Sequence, residues 1–341
     1  MAWSDILVAI LSFLISFILS FFLTKFWINI AKHKKDMLQP DMNKYNPAPT
    51  IPKTGGIAVM LSIILSLFVY IFFKTFFLQS TTHIVETLTL IITVFMAFLI
   101  GFVDDIFGWK NSSITGYKKI LMTIPIAIPL MIINAGHSTM GLPFIGNVNF
   151  GLIYPLVIVP LALIGTTNGF NLLAGFNGLE TGLGIIIFAV LGTTAFFTGQ
   201  VWLVLIAGII IFSLLAFFLF NKNPAKIFPG NTLTYVIGCL IGCFAILGNM
   251  EKIAFLLFIP FIIEGFLKLR SKFKAHNFGI PNKDNSLEPR YKQNYSLTHI
   301  ALRILKKMKK KVYENDIIYF MFIVELILVL FVFINLLFNI L

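Results

Sequence analysis

The chain has 341 residues, of which 58% are hydrophobic and only 12% are charged, and its mean hydropathy is +0.93. This composition excludes an ordinary soluble domain and requires lipid as the solvent for much of the surface. The net charge of +12 is spread over connections between apolar segments, so it indicates membrane topology and not a nucleic-acid partner. Cys239 and Cys243 lie four apart in one apolar run and are expected to be packing residues.

Apolar runs of about the length that crosses a bilayer occur ten times along the chain. The connections after the first, third, fifth, seventh and ninth runs carry 24 of the 26 lysines and arginines. Under the positive-inside rule these connections are cytoplasmic and both termini face outward. We therefore predict an all-α polytopic membrane protein of ten transmembrane helices, formed by residues 1–341 as a single domain. The predicted spans lie near residues 6–27, 57–78, 87–103, 120–134, 152–166, 179–197, 201–220, 232–248, 253–267 and 317–340.

The polar clusters all fall on the predicted cytoplasmic side. They occupy residues 39–56, 104–119, 166–178, 221–231 and 268–316. A transporter would be expected to place polar or broken segments at mid-membrane in two repeated halves, and the sequence has no convincing internal repeat. This asymmetry predicts an active site at the cytoplasmic face.

Two acidic and two amide residues are the first candidates for a metal–phosphate site. Asp104 and Asp105 end the third run, and adjacent carboxylates repel each other unless a cation lies nearby. Mg²⁺ is usually held by one or two carboxylates together with substrate phosphates. Asn168 and Asn171 are three residues apart and would share a helix face, where their carbonyl oxygens could bind metal. The alternative for the asparagines is a polar helix end with interhelical hydrogen bonds.

Cationic and aromatic candidates lie on the same side. Lys118 or Lys119, at the start of the fourth run, could neutralise a diphosphate, although a snorkelling anchor is the commoner role. Phe228, in a Pro-Gly turn, could stack on a base or simply pack. His276 lies in a basic, turn-rich loop.

The connection at 268–316 contains a further element. Apolar residues there follow helical spacing, with arginine and lysines between them, which predicts an amphipathic helix lying on an anionic leaflet. Its predicted apolar face comprises Leu297, Ile300, Ala301, Ile304, Met308 and Val312.

Six sequence pieces, in order over essentially the whole chain, resemble the polyprenyl-phosphate N-acetylhexosamine-1-phosphate transferases of the glycosyltransferase 4 type. The chain is most similar to their eukaryotic–archaeal branch, the tunicamycin-sensitive UDP-GlcNAc–dolichyl-phosphate GlcNAc-1-phosphate transferases. Bacterial relatives carry an aspartate-containing version of the fourth piece. The pieces are DMNK (41–44), IPKTGG (51–56), GFVDD (101–105), NGFNLLAGFNGLE (168–180), FPGNT (228–232) and the histidine loop at 276.

The resemblance implies transfer of GlcNAc-1-phosphate from UDP-GlcNAc to dolichyl phosphate with release of UMP, the first step of lipid-linked oligosaccharide assembly for N-glycosylation. It implies Mg²⁺ as cofactor, with Mn²⁺ as an alternative, and we expect an archaeal plasma membrane as the location. A homodimer is left open. The alternatives are another UDP-HexNAc or undecaprenyl phosphate as substrate, or a non-catalytic transporter or lipid-binding protein.

The resemblance also implies roles for individual residues. Asn171 and Asn231 would bind Mg²⁺, while Asp104 and Asp105 would line the acceptor phosphate. The other implied site residues are Gly175, Asn177 and Phe228 at the uridine, Asp41, Met42 and Lys53 at the nucleotide-sugar, and Lys119 (or Lys118) at phosphate. Asn168 and the loop residues Lys274, His276 and Asn277 are further substrate-binding candidates.

Three positions depart from the pattern of the family. Asn231 replaces the usual metal-binding aspartate, and an amide ligates Mg²⁺ without contributing charge, so weaker metal binding or compensation by the aspartates is expected. Ala275 and Asn277 replace the arginines that flank the loop histidine, which would shift diphosphate contacts to Lys272, Lys274 or His276. Lys53 replaces a glutamate.

Overall fold

The computed structural model describes residues 3–107, 116–142 and 146–338. Nearly all regular structure in these residues is helical, as predicted. Single turns of 3₁₀-helix occur at Lys35–Met37 and Ile124–Ala127, and a π-helical segment occurs at Tyr154–Ile158. The α-helices are α1 (Trp3–Ala31), α2 (Gly56–Phe76), α3 (Ile84–Phe107), α4 (Gly116–Thr123), α5 (Ile128–Ile132), α6 (Val159–Leu172), α7 (Leu179–Phe197), α8 (Val201–Asn221), α9 (Gly230–Leu247), α10 (Glu251–Leu257), α11 (Ile259–Arg270), α12 (Leu297–Met308) and α13 (Glu314–Phe338).

Eight helical segments in the described part of the chain are long and apolar enough to cross a membrane, which is the pattern of a multi-pass membrane protein. They match eight of the ten predicted spans. The segments are Ile6–Ala31, Gly56–Phe76, Ile84–Ile106, Tyr154–Leu172, Leu179–Phe197, Val201–Asn221, Gly230–Leu247 and Glu314–Leu336.

The other two predicted spans, 120–134 and 253–267, lie in interrupted helices. Pro125 lies in the first turn of the 3₁₀ segment, and Pro129 lies in the first turn of α5. Pro260 is the second residue of α11, directly after the break at Phe258. Proline lacks the backbone N–H and clashes with the preceding turn, so each run divides into shorter helices. Ten spans therefore remain a prediction.

Helix α9 lies at the centre of the bundle and packs against α2, α3, α6, α7 and α10. Its residues Gly238 and Gly242 face Thr166 on α6. A Cβ at Gly242 would lie 2.6 Å from Thr166 Oγ1, so the small residues permit close helix contact. Cys239 and Cys243 are buried and not disulfide-bonded, as the packing role predicted.

In the described part of the chain, three short antiparallel hairpins lie between helices. β1 (Leu38–Pro40) pairs with β2 (Thr50–Pro52), β3 (Thr139–Leu142) pairs with β4 (Gly146–Asn149), and β5 (Ile280–Pro281) pairs with β6 (Leu287–Glu288). The chain after β2 is tied to the turn before α9. Phe228 donates its N–H to Pro52 O at 2.8 Å and accepts one from Gly55 at 2.9 Å. These bonds place the first connection over the N-terminus of α9.

Helix α12 is amphipathic, and the apolar face predicted to lie on a leaflet is divided between buried and exposed residues. Ala301, Leu302 and Leu305 are buried, and the helix packs against α11 and α13. Ile304 and Met308, which were predicted on the same face as Ala301, are exposed. The reason is that the side of the helix that carries Leu302 and Leu305 packs against α11 and α13. Ile304 and Met308 are therefore left on the surface of the protein.

Candidate active site

A cavity of about 300 Å³ lies where the ends of α3, α6 and α9 meet the first connection. It brings together eleven of the predicted site residues: Asp41, Met42, Lys53, Asp104, Asp105, Lys119, Asn171, Gly175, Asn177, Phe228 and Asn231. The remaining five predicted residues do not line it: Lys118, Asn168, Lys274, His276 and Asn277.

Asp105 connects the end of α3 to the beginning of α9. Its Oδ1 accepts the backbone N–H of Asn231 at 2.8 Å, and its Oδ2 accepts the N–H and the hydroxyl of Thr232 at 3.0 and 2.8 Å. A helix N-terminus leaves N–H groups without intrahelical partners and attracts negative charge, so Asp105 caps α9 from another helix. Gly230 has φ +72° and a Cβ there would overlap Asp105 Oδ2, so this turn requires glycine.

Asp104 has a different partner. Its Oδ2 lies 2.6 Å from Lys119 Nζ, and its side chain is only 3% exposed. Lys118 is exposed and does not line the cavity, so the structure brings only the second of the two candidate lysines to it. A second cation, Lys53, is buried and donates to the backbone carbonyl of Asp105 at 3.1 Å. Lys119 therefore offsets part of the mutual repulsion of the adjacent carboxylates, while Lys53 lies against the backbone of Asp105.

The two asparagines of α6 have separate roles. Asn171 lines the cavity, and its Oδ1 accepts the hydroxyl of Thr234 from α9 at 2.8 Å. Asn168 donates to Thr123 Oγ1 at 2.8 Å and to Ile164 O at 2.9 Å. It thus makes the interhelical hydrogen bond that was the alternative to metal or substrate binding.

The loop between α6 and α7 forms another wall of the cavity. Gly175 donates its N–H to Glu180 Oε1 at 2.6 Å, and Asn177 donates its side-chain amide to Asp41 Oδ2 at 2.9 Å. Gly175 has φ +130°, and a Cβ would lie 2.8 Å from the Phe278 ring, so both backbone and space require glycine.

Several residues around the cavity were not singled out from the sequence. Gln39, Glu180, Thr234 and Phe278 line it, and Glu314 contacts its wall at Asn177. Glu180 ends the stretch that carried the asparagines, so a signal for it was present. Phe278 and Glu314 come from the ninth connection and the last helix, which no local pattern links to the site.

The histidine loop lies beside the cavity. Asn277 is buried and donates to Leu172 O at 2.9 Å and to Ala174 O at 2.6 Å, so it supports the α6–α7 loop. His276 and Lys274 are exposed. Partial desolvation and the charges of Arg290 and Lys268 lower the pKa of His276, which favours a neutral ring at neutral pH.

The donor atoms of the cavity fit a magnesium ion that is shared with a substrate. Asp104, Asp105, Asn171 and Asn231 all line it and offer oxygen atoms, the ligands that Mg²⁺ prefers. Within residues 3–107, 116–142 and 146–338 there is no group of three or more His, Cys, Asp or Glu side chains placed to hold a metal. A protein-only cage is therefore absent from these residues, and the donor set suits an ion completed by phosphate and water.

The chain matches the family described as Glycosyl transferase family 4 over residues 87–249. It is 38% identical over 283 residues to a Saccharolobus solfataricus protein provisionally named UDP-N-acetylglucosamine–dolichyl-phosphate N-acetylglucosaminephosphotransferase, which covers 82% of this chain and 84% of the relative. A Sulfolobus acidocaldarius protein with the same provisional name is 34% identical over 290 residues, which are 83% of this chain and 84% of the relative. The phospho-N-acetylmuramoyl-pentapeptide-transferase of Listeria monocytogenes is 31% identical over 220 residues, which are 62% of this chain and 66% of the relative.

Proposed function

The chain belongs to glycosyl transferase family 4, and from this premise we propose that it transfers GlcNAc-1-phosphate from UDP-GlcNAc to dolichyl phosphate. The products are GlcNAc-diphospho-dolichol and UMP, so the reaction begins lipid-linked oligosaccharide assembly for N-glycosylation. The names of the two archaeal relatives support this donor and acceptor. The observation that carries the proposal is one cavity lined by the Asp104–Lys119 pair, the amides of Asn171 and Asn231, and the ring of Phe228.

The reaction proposed is a direct displacement at phosphorus. An oxygen of the acceptor phosphate forms a bond to the β-phosphorus, the bond from that phosphorus to the bridging oxygen breaks, and its electron pair leaves with UMP. A phosphate monoester has a second pKa near 6, so the acceptor is largely dianionic at neutral pH and needs no strong general base. Lys119 would offset negative charge on the diphosphate, while Asp104 holds its ammonium group in place.

Asp105 is assigned a positioning role, since both of its oxygens already accept hydrogen bonds from the first turn of α9. The alternative chemistry is a covalent aspartyl–phospho-GlcNAc intermediate, formed when an aspartate carboxylate attacks the β-phosphorus and UMP leaves. The covalent route and direct displacement differ in when UMP is released. The covalent route releases one equivalent of UMP per enzyme before the lipid acceptor is added. Direct displacement releases none.

The proposed cofactor is Mg²⁺, with Mn²⁺ expected to substitute for it. Asn171 and Asn231 would hold the ion, with Asp104 and Asp105 available to supply the charge that an amide lacks. When bound, the ion supplies neutralisation and orientation of the diphosphate.

The proposal includes an active site on the cytoplasmic side of an archaeal plasma membrane, ten spans and outward-facing termini. It is supported by the basic residues on the connections around the cavity. Helix α12 is proposed to lie on an anionic leaflet, supported by the exposed Ile304 and Met308 beside the exposed Lys307. A homodimer is compatible with the proposal and is not required by it.

A second candidate is the same reaction with another UDP-HexNAc or with undecaprenyl phosphate. It is favoured by the identity to the pentapeptide-transferase of Listeria monocytogenes, whose coverage is lower than that of the archaeal relatives. Competition between UDP-sugars, and between the two polyprenyl phosphates, would separate the candidates.

The test is UMP release by the purified full-length protein, given UDP-GlcNAc and dolichyl phosphate with and without Mg²⁺. Release that requires both the lipid and the metal is the expected result. The Lys119→Met variant is the matched low-activity control, because it removes the cavity lysine that pairs with Asp104 and leaves Lys118. Absence of release with every UDP-sugar and both lipids would overturn the proposal and favour a non-catalytic membrane protein.

A further inference from the structure

Glu314, the first residue of the last helix, reaches the wall of the cavity from 137 positions away in the chain. Its side chain is 2% exposed. It accepts the backbone N–H of Asn177 at 2.8 Å and the ammonium group of Lys44 at 2.7 Å. It also accepts from Asn43 Nδ2 at 3.2 Å. A buried carboxylate with this set of donors joins the first connection, the α6–α7 loop and α13.

The same carboxylate fixes the orientation of the Asn177 amide. Asn177 Nδ2 donates to Asp41 Oδ2 at 2.9 Å and to Glu314 Oε2 at 3.3 Å. A carboxylate only accepts hydrogen bonds, so reversing the amide would place its carbonyl oxygen against two negative groups. The NH₂ group of Asn177, a residue that lines the cavity, is therefore held against these two carboxylates.

The carbonyl oxygen of Asn177 is left as the atom that the cavity can use. None of the described residues donates a hydrogen bond to it, whereas its two amide hydrogens are both engaged. The backbone of the loop is held as well, since Gly175 donates its N–H to Glu180 and its carbonyl accepts from Asn43 Nδ2 at 3.0 Å. The cavity thus presents an acceptor with a fixed direction.

We propose that Glu314 is a positioning residue which, with Asp41, holds the Asn177 carbonyl as a fixed hydrogen-bond acceptor for the base of the nucleotide. Uracil carries a proton at N3, where cytosine has a lone pair, so an acceptor directed at N3 selects a uridine nucleotide over a cytidine nucleotide. A site built to bond a donor rejects an analogue without it, because the buried acceptor is then left unpaired. The inference rests on the proposed function, which brings a nucleotide to this cavity.

The test compares Glu314→Gln with the wild type. Glutamine keeps the shape but replaces one accepting oxygen with an NH₂ group, which opposes the NH₂ of Asn177 and releases its orientation. We expect Glu314→Gln to bind UMP about tenfold more weakly than the wild type does, with CMP binding unchanged. The ratio of UMP affinity to CMP affinity should therefore fall about tenfold. In turnover, the KM for UDP-GlcNAc should rise by about tenfold with kcat changed less than about threefold.

The matched control is Asp316→Asn. Asp316 lies two residues further along the same helix turn, where it pairs with Lys309 at 2.6 Å and accepts the N–H of Tyr313, and it does not line the cavity. The Asp316→Asn variant should leave the ratio of UMP affinity to CMP affinity unchanged. Asp41→Asn leaves one accepting oxygen where Asp41 uses two, one for the N–H of Asn43 and one for the Asn177 amide. It should lower the ratio of UMP affinity to CMP affinity as Glu314→Gln does, which keeps the proposal testable if the latter is unstable.

The outcomes separate this inference from the function on which it rests. Equal weakening of UMP and CMP in Glu314→Gln, or the same loss in Asp316→Asn, would show a merely structural role and overturn the inference alone. A wild-type protein that neither binds UMP nor releases it would overturn the proposed function, and the inference with it. A lower UMP to CMP ratio in both Glu314→Gln and Asp41→Asn supports it.

Discussion

Thr232 donates two hydrogen bonds to Asp105 Oδ2, one from its backbone N–H at 3.0 Å and one from its hydroxyl at 2.8 Å. The two residues belong to different helices, since Asp105 ends α3 and Thr232 lies in the first turn of α9. An acidic side chain that caps another helix satisfies N–H groups and balances the positive end of that helix. The carboxylate is therefore held in one position at the edge of the cavity.

Replacing Asp105 with asparagine should reduce kcat by about a hundredfold, since the pocket loses a charged group that holds its geometry. Binding of UDP-GlcNAc should change by less than about threefold, because the uridine-side residues are untouched. Thr232→Val serves as the control, for it removes the hydroxyl hydrogen bonds to Asp105 and Pro229 O but keeps the backbone one to Asp105. It should lower the free energy of unfolding by about 1 kcal/mol. Equal losses of binding and turnover in Asp105→Asn would indicate damage to the metal site or the fold instead.

Lys118 and Lys119 form a natural pair of variants. Lys119→Met should lower kcat/KM for UMP release by about a hundredfold or more, because a cation beside the diphosphate is lost and Asp104 is left without its partner. Lys118→Met should stay within about twofold of the wild type, since this side chain is exposed and does not line the cavity. Similar losses in both variants would assign the effect to membrane anchoring.

Gly230→Ala should impair both stability and turnover. Its φ of +72° disfavours any side chain, and the new Cβ would overlap Asp105 Oδ2. Gly199→Ala isolates the first cause, because Gly199 has φ +76° with open space around its Cβ position. Thermal unfolding in detergent should show a cost of about 1 kcal/mol for Gly199→Ala and a larger one for Gly230→Ala. Only the latter should lose activity, and equal activity in the two would contradict the role assigned to Asp105.

The apolar spans were predictable because a long, uninterrupted apolar segment has one favourable structure in lipid, a helix across the bilayer. The run at 179–197 coincides with α7, Leu179–Phe197. Runs 120–134 and 253–267 were apolar enough by composition, yet their prolines divide the helices at positions that hydropathy does not register. Local composition fixes the existence of an element better than its continuity.

The cavity was only partly predictable, for a similar reason. Asp104, Asp105 and Asn171 have side chains that are costly beside apolar runs, so the sequence itself marks them as functional. Asn168 carries the same mark, yet its amide is used between helices. Glu314 was missed because an acidic residue at the start of an apolar helix has an ordinary explanation as a helix-end charge. Its contact with Asn177 depends on tertiary packing alone.

Asn231→Asp should strengthen Mg²⁺ binding, so that the enzyme reaches full activity at a lower Mg²⁺ concentration. The variant adds a negative charge to an oxygen donor that lines the cavity, and carboxylates bind this ion more strongly than amides do. The half-saturating concentration of Mg²⁺ for UMP release should fall by about tenfold, a change of about 1.4 kcal/mol. Asn231→Leu, close in size but without a donor, should raise it. An unchanged Mg²⁺ requirement in both variants would remove Asn231 from the metal site.

Acid should destabilise the protein in part through His299, which is buried in α12. Burial, reinforced by the charge of Lys268, lowers its pKa from 6.5 to about 4, and Nδ1 accepts the N–H of Tyr295 at 3.2 Å. Since the folded-state pKa lies below the unfolded one, the unfolded chain binds more protons between these values. The stabilising effect of the neutral ring is thus complete above about pH 6.5 and is lost as the pH falls towards 4.

The measurement for His299 is the unfolding temperature in detergent across this pH interval. The wild type should unfold at progressively lower temperature as the pH falls, and His299→Gln should show a shallower decline because its side chain does not titrate. His276→Gln is the comparison, because His276 is exposed and its pKa is lowered mainly by partial desolvation and the charges of Arg290 and Lys268. Its charge state should affect stability less than that of a buried ring. Parallel pH profiles for the wild type and His299→Gln would show that His299 does not contribute to the acid sensitivity.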